Sequence, residues 1–227
     1  MSNLGKRIDL HTHTLLGDGE LLPSEILRRA EALNYEAIAV TEHADASNLK
    51  SVIKMLVEAV RKLNPHSKAK LYCGVELTHI PPATIPSLAS EARKLGAQII
   101  IVHGETLAEP VAPGTNHAAL LCKETDILAH PGLITSKDCK LAARNGVYLE
   151  LSARRGHCLS NGHVARVASE LGAKLLVNAD LHSPEDFITQ QQAYNIALGA
   201  GLAENEATQV VRNNPLTLLK KIGSSTQ

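Results

Sequence analysis

Aromatic side chains are almost absent from this chain, which has four Tyr, one Phe and no Trp in 227 residues. Proteins that hold single-stranded nucleic acid stack its bases on aromatic rings, so that class is disfavoured. The core must instead be aliphatic, built from Leu, Ile, Val and Ala. Net charge is missing as well, with 23 basic residues against 23 acidic ones. Such a balance offers no basic stripe for long DNA or RNA, and leaves open only a local cationic pocket for one phosphate. The four cysteines, Cys73, Cys122, Cys139 and Cys158, form no CxxC pair. Four reduced thiols in a cytosolic protein are the expectation. No apolar run approaches the roughly 18 residues of a membrane span, and the start, MSNLGKRIDL, has no signal-peptide apolar region. A soluble, cytoplasmic protein with no membrane partner is expected, and nothing in the sequence indicates an oligomer. A chain of 227 residues suits one domain, 1–227, with a sizeable core.

What is present is an alternation. Short β-rich apolar runs stand at 7–10, 37–41, 70–77, 98–103, 125–129, 147–151 and 174–178. Each is a continuous apolar run, as expected of a strand buried on both faces. Between them the apolar spacing predicts helices over 23–33, 47–63, 85–95, 136–144 and 161–171. The first stripe is Ile26, Leu27, Ala30 and Leu33; the second is Val52, Met55, Leu56, Ala59, Val60 and Leu63. Further helices are expected over 184–199 and 204–221, the latter interrupted near Asn213-Asn214-Pro215. These C-terminal helices, about 184–222, are expected to pack on the barrel. Seven strands alternating with helices mean a parallel sheet with right-handed crossovers, open or closed into a barrel.

The polar residues favour the barrel. Every predicted strand is followed by a metal-type ligand: His11 and His13 with Asp18, then Glu42-His43, Glu76, His103, His130, Glu150, and Asp180 with His182. A closed β/α barrel gathers strand ends around one mouth, whereas an open sheet spreads them along an edge. His11 and His13 are two apart on an extended segment, so both imidazoles share a face, and Asp180 and His182 repeat the spacing. Imidazole with carboxylate suits Zn, Mn or Fe. A two-oxygen carboxylate such as Glu76 can bridge two cations. Any one of these histidines alone reads as an ordinary loop residue, and Asp18 in Gly17-Asp18-Gly19 reads as a turn. One candidate per strand end, in register with the repeat, predicts a multinuclear metal site. Of the other histidines, His66 sits in a solvated turn, His163 reads as a structural helix residue, and His157 lies just past the sixth strand.

The motifs Asp9-Leu10-His11-Thr12-His13-Thr14, Thr41-Glu42-His43, Gly74-Val75-Glu76, His103, Ala129-His130-Pro131 and Ala179-Asp180-Leu181-His182 resemble those of the PHP (polymerase and histidinol phosphatase) family over nearly the whole chain. The resemblance implies a distorted, TIM-like (β/α)7 barrel with three divalent ions, Zn, Mn or Fe and sometimes Mg. It implies one ion held by His11, His13, Glu76 and Asp180, a second by Glu76, His103 and His130, and a third by Asp18, His43 and His182. Three positions depart from the family pattern: Glu42 stands for a commoner Asp, Gly17 for Ser and Leu181 for Ala. None removes a ligand.

The resemblance implies phosphoester hydrolysis by a metal-bridging hydroxide, with Glu76, Asp180 and His182 as the catalytic residues. A phosphatase acting on a small phosphorylated molecule is expected, a monoester in preference to a diester. Arg154 and Arg155 follow the sixth strand and are the candidate phosphate-binding cations. His79 and Glu105 are candidate substrate contacts, and Asp9 and Glu150 candidate partners that orient a ligand. The loop 109–116, stiffened by Pro110 and Pro113, is a candidate pocket wall. The rival readings are an exonuclease or nucleotide phosphoesterase with the same site, and a non-catalytic metal-binding protein. A third, C–N hydrolysis of the amidohydrolase type, commonly wants a bridging Lys, and none stands at these strand ends.

Overall fold

The computed structural model describes residues 4–224. Seven strands, β1 (Arg7–Asp9), β2 (Tyr35–Ala44), β3 (Lys70–Leu77), β4 (Ile99–His103), β5 (Ile127–Ala129), β6 (Tyr148–Ser152) and β7 (Leu175–Asn178), pair in sequential order. Every pairing is parallel. An isolated parallel bridge between Thr12 and Leu181 brings β7 back to β1, with His13 N donating to Leu181 O at 2.7 Å. The sheet is thereby a nearly closed barrel, the TIM-like (β/α)7 architecture. The helices α1 (Pro23–Ala32), α2 (Leu49–Leu63), α3 (Ile85–Leu95), α4 (Thr115–Leu121), α5 (Ser136–Asn145) and α6 (Asn161–Leu171) fall between strands, and α7 (Gln190–Gly199), α8 (Glu204–Thr208) and α9 (Asn214–Ser224) follow β7.

Two aliphatic layers explain why the strand sequences run apolar without alternating. One side chain of each strand pair faces the helices; the next fills the barrel, where Ile8, Ala37, Ala39, Ile99, Ile101, Ile127, Tyr148 and Leu176 pack together. Leu218 and Ile222 of α9 join this inner cluster. Asn214 donates to Leu175 O and Lys221 pairs with Asp126, so α9 lies across the N-terminal ends of the strands. The opposite mouth is left to the polar residues.

The local differences from the sequence reading have identifiable causes. The stretch 184–199 is not one helix: a single turn, Pro184–Asp186, is followed by α7, which starts where Thr189 and Gln192 cap each other reciprocally. The stretch 204–221 divides at a wide turn over Gln209–Asn213, with Pro215 in the first turn of α9, where a missing N–H costs nothing. Helix α4 occupies part of what reads as loop, because its seven residues are too short to show a period. Leu33 and Met55 are 42% and 43% exposed, outside the core stripes to which their spacing assigns them.

The closing seam carries a buried ion pair. Arg7 Nη2 donates to Asp9 at 2.7 Å and to Val177 O at 2.8 Å, and both side chains are buried. Asp9 in turn accepts from Ala179 N and His11 N, so one carboxylate holds β1 against the segment after β7. Removing one member of a buried pair leaves the other charge uncompensated. Arg7→Met should therefore lower stability by about 3–5 kcal/mol, a fall of about 6–20 °C in melting temperature. Urea unfolding of the metal-stripped protein measures it, and a loss below about 1 kcal/mol would show that the seam does not depend on this pair.

Candidate metal centre

The barrel brings residues that are distant in sequence to one mouth. His11 and His13 leave β1, His43 ends β2, Glu76 lies near the end of β3, and His103 ends β4. His130 follows β5, and Asp180 and His182 follow β7. All but His43 and His182 are buried among these. Asp18 is the exposed member, reached through the loop after His13.

Glu76 is the hub. Its Oε2 lies 3.2 Å from His11 Nε2, 3.6 Å from His13 Nε2 and 2.9 Å from His43 Nδ1. Its Oε1 lies 3.1 Å from His103 Nδ1 and 3.5 Å from His130 Nε2. Asp180 is placed similarly, with Oδ1 3.4 Å from His13 Nε2 and Oδ2 3.7 Å from His130 Nε2. At the rim, Asp18 Oδ2 is 3.6 Å from His43 Nε2 and 3.4 Å from His182 Nε2. The donor atoms accordingly gather into His11–His13–Asp180, Glu76 with His11 and His130, Glu76 with His43 and His103, His13–Asp18–His43–His182 and, with two exposed members, His79–His103–Glu109.

Several of these separations are too long for good hydrogen bonds. They match tetrahedral donors about 2.1 Å from a shared ion, which lie about 3.4 Å apart. The buried atoms His11 Nε2, both ring nitrogens of His13 and of His130, Glu76 Oε2 and His103 Nε2 make no hydrogen bond. That many unsatisfied polar atoms in one place is costly in a folded interior unless a ligand satisfies them. The donor chemistry fits divalent cations of the zinc, manganese or iron type.

Neighbouring groups fix the rings. His11 Nδ1 donates to Glu150 at 2.8 Å, and Glu150 also accepts from Asn178 at 2.9 Å. His43 Nδ1 is 2.7 Å from Thr78 Oγ1. His130 and Asp180 have φ of 27° and 51°, and so does His79 nearby at 51°. Non-glycine residues adopt this left-handed backbone at a cost, and such residues cluster where function requires it.

Gly17 and Glu42, two of the three departures from the family pattern, touch each other. Glu42 accepts from Thr14 N at 3.0 Å and from the Thr14 hydroxyl. A Cβ on residue 17 would sit 2.6 Å from Glu42 Oε2. The longer carboxylate occupies the space of the missing side chain, so the loop carrying Asp18 stays anchored. The third departure, Leu181, is fully buried and supplies the backbone of the closing bridge.

The candidate substrate residues separate. Arg154 Nη1 lies 2.7 Å from His182 Nδ1 and donates to Asp180 O at 3.2 Å, which puts the guanidinium beside the cluster. Arg155 is exposed, and among the described residues no hydrogen bond or ion pair joins it to the cluster. Glu105 accepts from Gly114 N and Asn116 N, so its carboxylate is committed to the base of a loop. His79 reaches Glu109 at 2.9 Å. Two residues at the mouth go beyond the sequence reading, Glu109 and His157. His157 is buried and its ring stacks on His130, with centroids 4.1 Å apart. Its position just past the sixth strand was the available signal; Glu109 offered none beyond its loop.

A model of the PHP domain matches residues 9–154. The chain belongs to the PHP domain family. An uncharacterized protein of Methanocaldococcus jannaschii is 46% identical over 217 residues, covering 95% of this PHP chain and 100% of that protein. Among solved structures, Aspergillus niger ochratoxinase aligns with a TM-score of 0.61 at 10% identity, over 94% of this chain and 71% of its own. A zinc-containing amidohydrolase from Burkholderia ambifaria aligns with a TM-score of 0.57 at 12% identity, over 95% and 86%. At these identities the two structures show a shared fold alone. Among the described residues no helix is long and apolar enough to cross a membrane.

The electrostatics of the cluster lead to a pH prediction. Burial opposes a charge on His43, but Glu76 and Asp18 outweigh it and raise the pKa to about 9. Burial likewise opposes charge on His11, and Glu150, Glu76 and Asp180 lift it well above the ordinary histidine value. For His13 burial wins and lowers the pKa to about 4. A raised histidine stabilises the metal-stripped fold below its unfolded value, and that contribution is lost as pH climbs through the folded value. A cation must also displace the His43 proton, so affinity should rise between pH 6.5 and about 9. The melting-temperature gap between metal-loaded and metal-stripped protein should therefore widen over that interval. A gap independent of pH would contradict the placement of His43.

Proposed function

We propose that this PHP protein is a metal-dependent phosphoesterase that hydrolyses a small phosphorylated molecule, a monoester in preference to a diester. The family and the donor clusters support a metal-dependent hydrolase. The observation that carries the phosphoester reading is the Arg154 guanidinium, set against Asp180 and His182 at the edge of the donor cluster. A planar guanidinium binds two phosphate oxygens at once, and it needs an anionic group beside the cations.

In this reading His11, His13, Glu76 and Asp180 hold one divalent ion, Glu76, His103 and His130 a second, and Asp18, His43 and His182 a third. Cations bound there would act as Lewis acids and lower the pKa of water towards ~7. Glu76 faces both donor sets with separate oxygens, and so would hold two ions at a fixed spacing. Asp180, with an oxygen towards each set, would orient the attacking water by accepting a hydrogen bond from it. His182 lines up Asp18 on one side and Arg154 on the other. The leaving group would lie in a cavity of about 420 Å³ bounded by Asp18, His43, Asp45, Asn48, Thr78, His79 and Glu109. This volume accommodates a small molecule. The neutral charge balance and the scarcity of aromatics point the same way.

The test uses p-nitrophenyl phosphate and a panel of alkyl and sugar monophosphates, with protein loaded with Zn, Mn or Fe. Wild type should turn over monoesters, and metal stripping should abolish it. Arg154→Ala should lower kcat/KM by about 10²-fold when assayed at saturating metal. His11→Ala combined with Asp180→Ala should lose bound metal and activity together. Full activity in that double variant, or a metal-replete wild type inert on monoesters and diesters alike, would overturn the proposal.

A further inference from the structure

We infer that Glu109, in the loop between β4 and α4, is a positioning residue for the cation held by Glu76, His103 and His130. The inference rests on the reading that these three share an ion. His103 has two ring nitrogens, and they face different neighbours. Nδ1 is 3.1 Å from Glu76 Oε1, the same oxygen that lies 3.5 Å from His130 Nε2. Nδ1 is therefore the nitrogen that belongs with the other two donors. A neutral imidazole that gives one nitrogen to a cation carries its proton on the other, and an acceptor for that proton fixes the ring and raises its basicity. For His103 that other nitrogen is Nε2. It is buried, makes no hydrogen bond, and lies 3.2 Å from Glu109 Oε2.

His11 provides an internal comparison. Its Nδ1 donates to Glu150 at 2.8 Å, which leaves Nε2 towards Glu76 and Asp180. Glu109 is placed towards His103 as Glu150 is towards His11, with the two nitrogens exchanged, at 3.2 Å without a hydrogen bond where Glu150 makes one at 2.8 Å. Glu109 also reaches the other imidazole of the group indirectly. Its Oε1 is 3.4 Å from His157 Nε2, and the His157 ring stacks on His130 with an interplanar angle of 19°. The third contact, His79 Nε2 at 2.9 Å, completes a carboxylate that touches three strand-end loops.

The loop holds Glu109 in this place. Thr106 Oγ1 is 2.7 Å from His157 Nδ1, tying the loop across to the segment after β6. Glu105 Oε1 accepts from Gly114 N and Asn116 N, and Asn116 Nδ2 donates to Pro131 O. The Glu105 carboxylate thus serves the metal centre by shaping the loop that delivers Glu109.

The test is a calorimetric zinc titration of the chelator-stripped full-length protein. It compares wild type with Glu109→Gln, Glu109→Asp and His130→Ala, each also melted in the stripped form. His130→Ala identifies which zinc equivalent belongs to the second group. In Glu109→Gln that equivalent should weaken by about 10–100-fold, the remaining equivalents should hold, and the stripped melting temperature should stay near wild type. Glu109→Asp, which keeps the charge, should recover part of the loss. Zinc binding in Glu109→Gln equal to wild type would overturn the inference. So would complete loss of one equivalent not shared with His130→Ala, which would make Glu109 a ligand of a separate ion. Uniform weakening together with a lower stripped melting temperature would reduce Glu109 to a scaffold residue. A wild type that binds no zinc at all would instead defeat the cluster reading itself, before any variant is considered.

Discussion

The mouth of this barrel is organised around one buried carboxylate. Glu76 is fully buried and faces His11, His13, His43, His103 and His130, which come from four different strand ends. Burial opposes its charge, yet His11, His43 and His103 hold its pKa well below the usual carboxylate range. An anion in that position can be tolerated only among cations or protonated rings. The requirement propagates outwards. The imidazoles that answer Glu76 meet a hydroxyl, a carboxylate or a stacked ring in turn: Thr78 at His43, Glu150 at His11, Glu109 at His103, His182 at His13 and His157 at His130. The Arg7–Asp9 pair at the seam and the bridge from Thr12 to Leu181 keep β1 and β7 together, so that His11, His13 and Asp180 reach the same point.

Much of this was legible in the sequence because two periodicities coincide. The alternation of short apolar runs with helical stripes fixes a parallel β/α repeat, and the polar residues fall after each run in the same phase. Any single member, His130 or Asp18, reads as a loop residue; the register of the whole set carries the information. Strands and helices such as 70–77 and 161–171 have the bounds the sequence predicts, because their ends are marked by turn-forming glycine or a change of polarity.

What escaped the sequence reading depends on chain crossings rather than on period. Glu109 lies in a loop, and contacts distant in sequence hold that loop at the mouth: Thr106 to His157, Glu105 to Gly114 and Asn116, and Asn116 to Pro131. Contacts across to the segment after β7 likewise separate Arg154 from Arg155, neighbours in sequence of which one lies beside Asp180 and His182 and the other is exposed. Glu105 looked equally well placed for substrate, but its carboxylate satisfies two backbone N–H groups. Gly17 and Glu42 show the converse. Taken separately each is a departure from the family pattern; together they fill one space.

The central claim is that the donors around Glu76 and Asp180 hold three divalent cations in one mouth. Anomalous X-ray diffraction from crystals of the zinc- or manganese-loaded protein tests it most directly. The account predicts three peaks: one among His11, His13, Glu76 and Asp180, one among Glu76, His103 and His130, and one among Asp18, His43 and His182. A fully loaded crystal with no peak touching Glu76, or with a single ion at the rim, would contradict it.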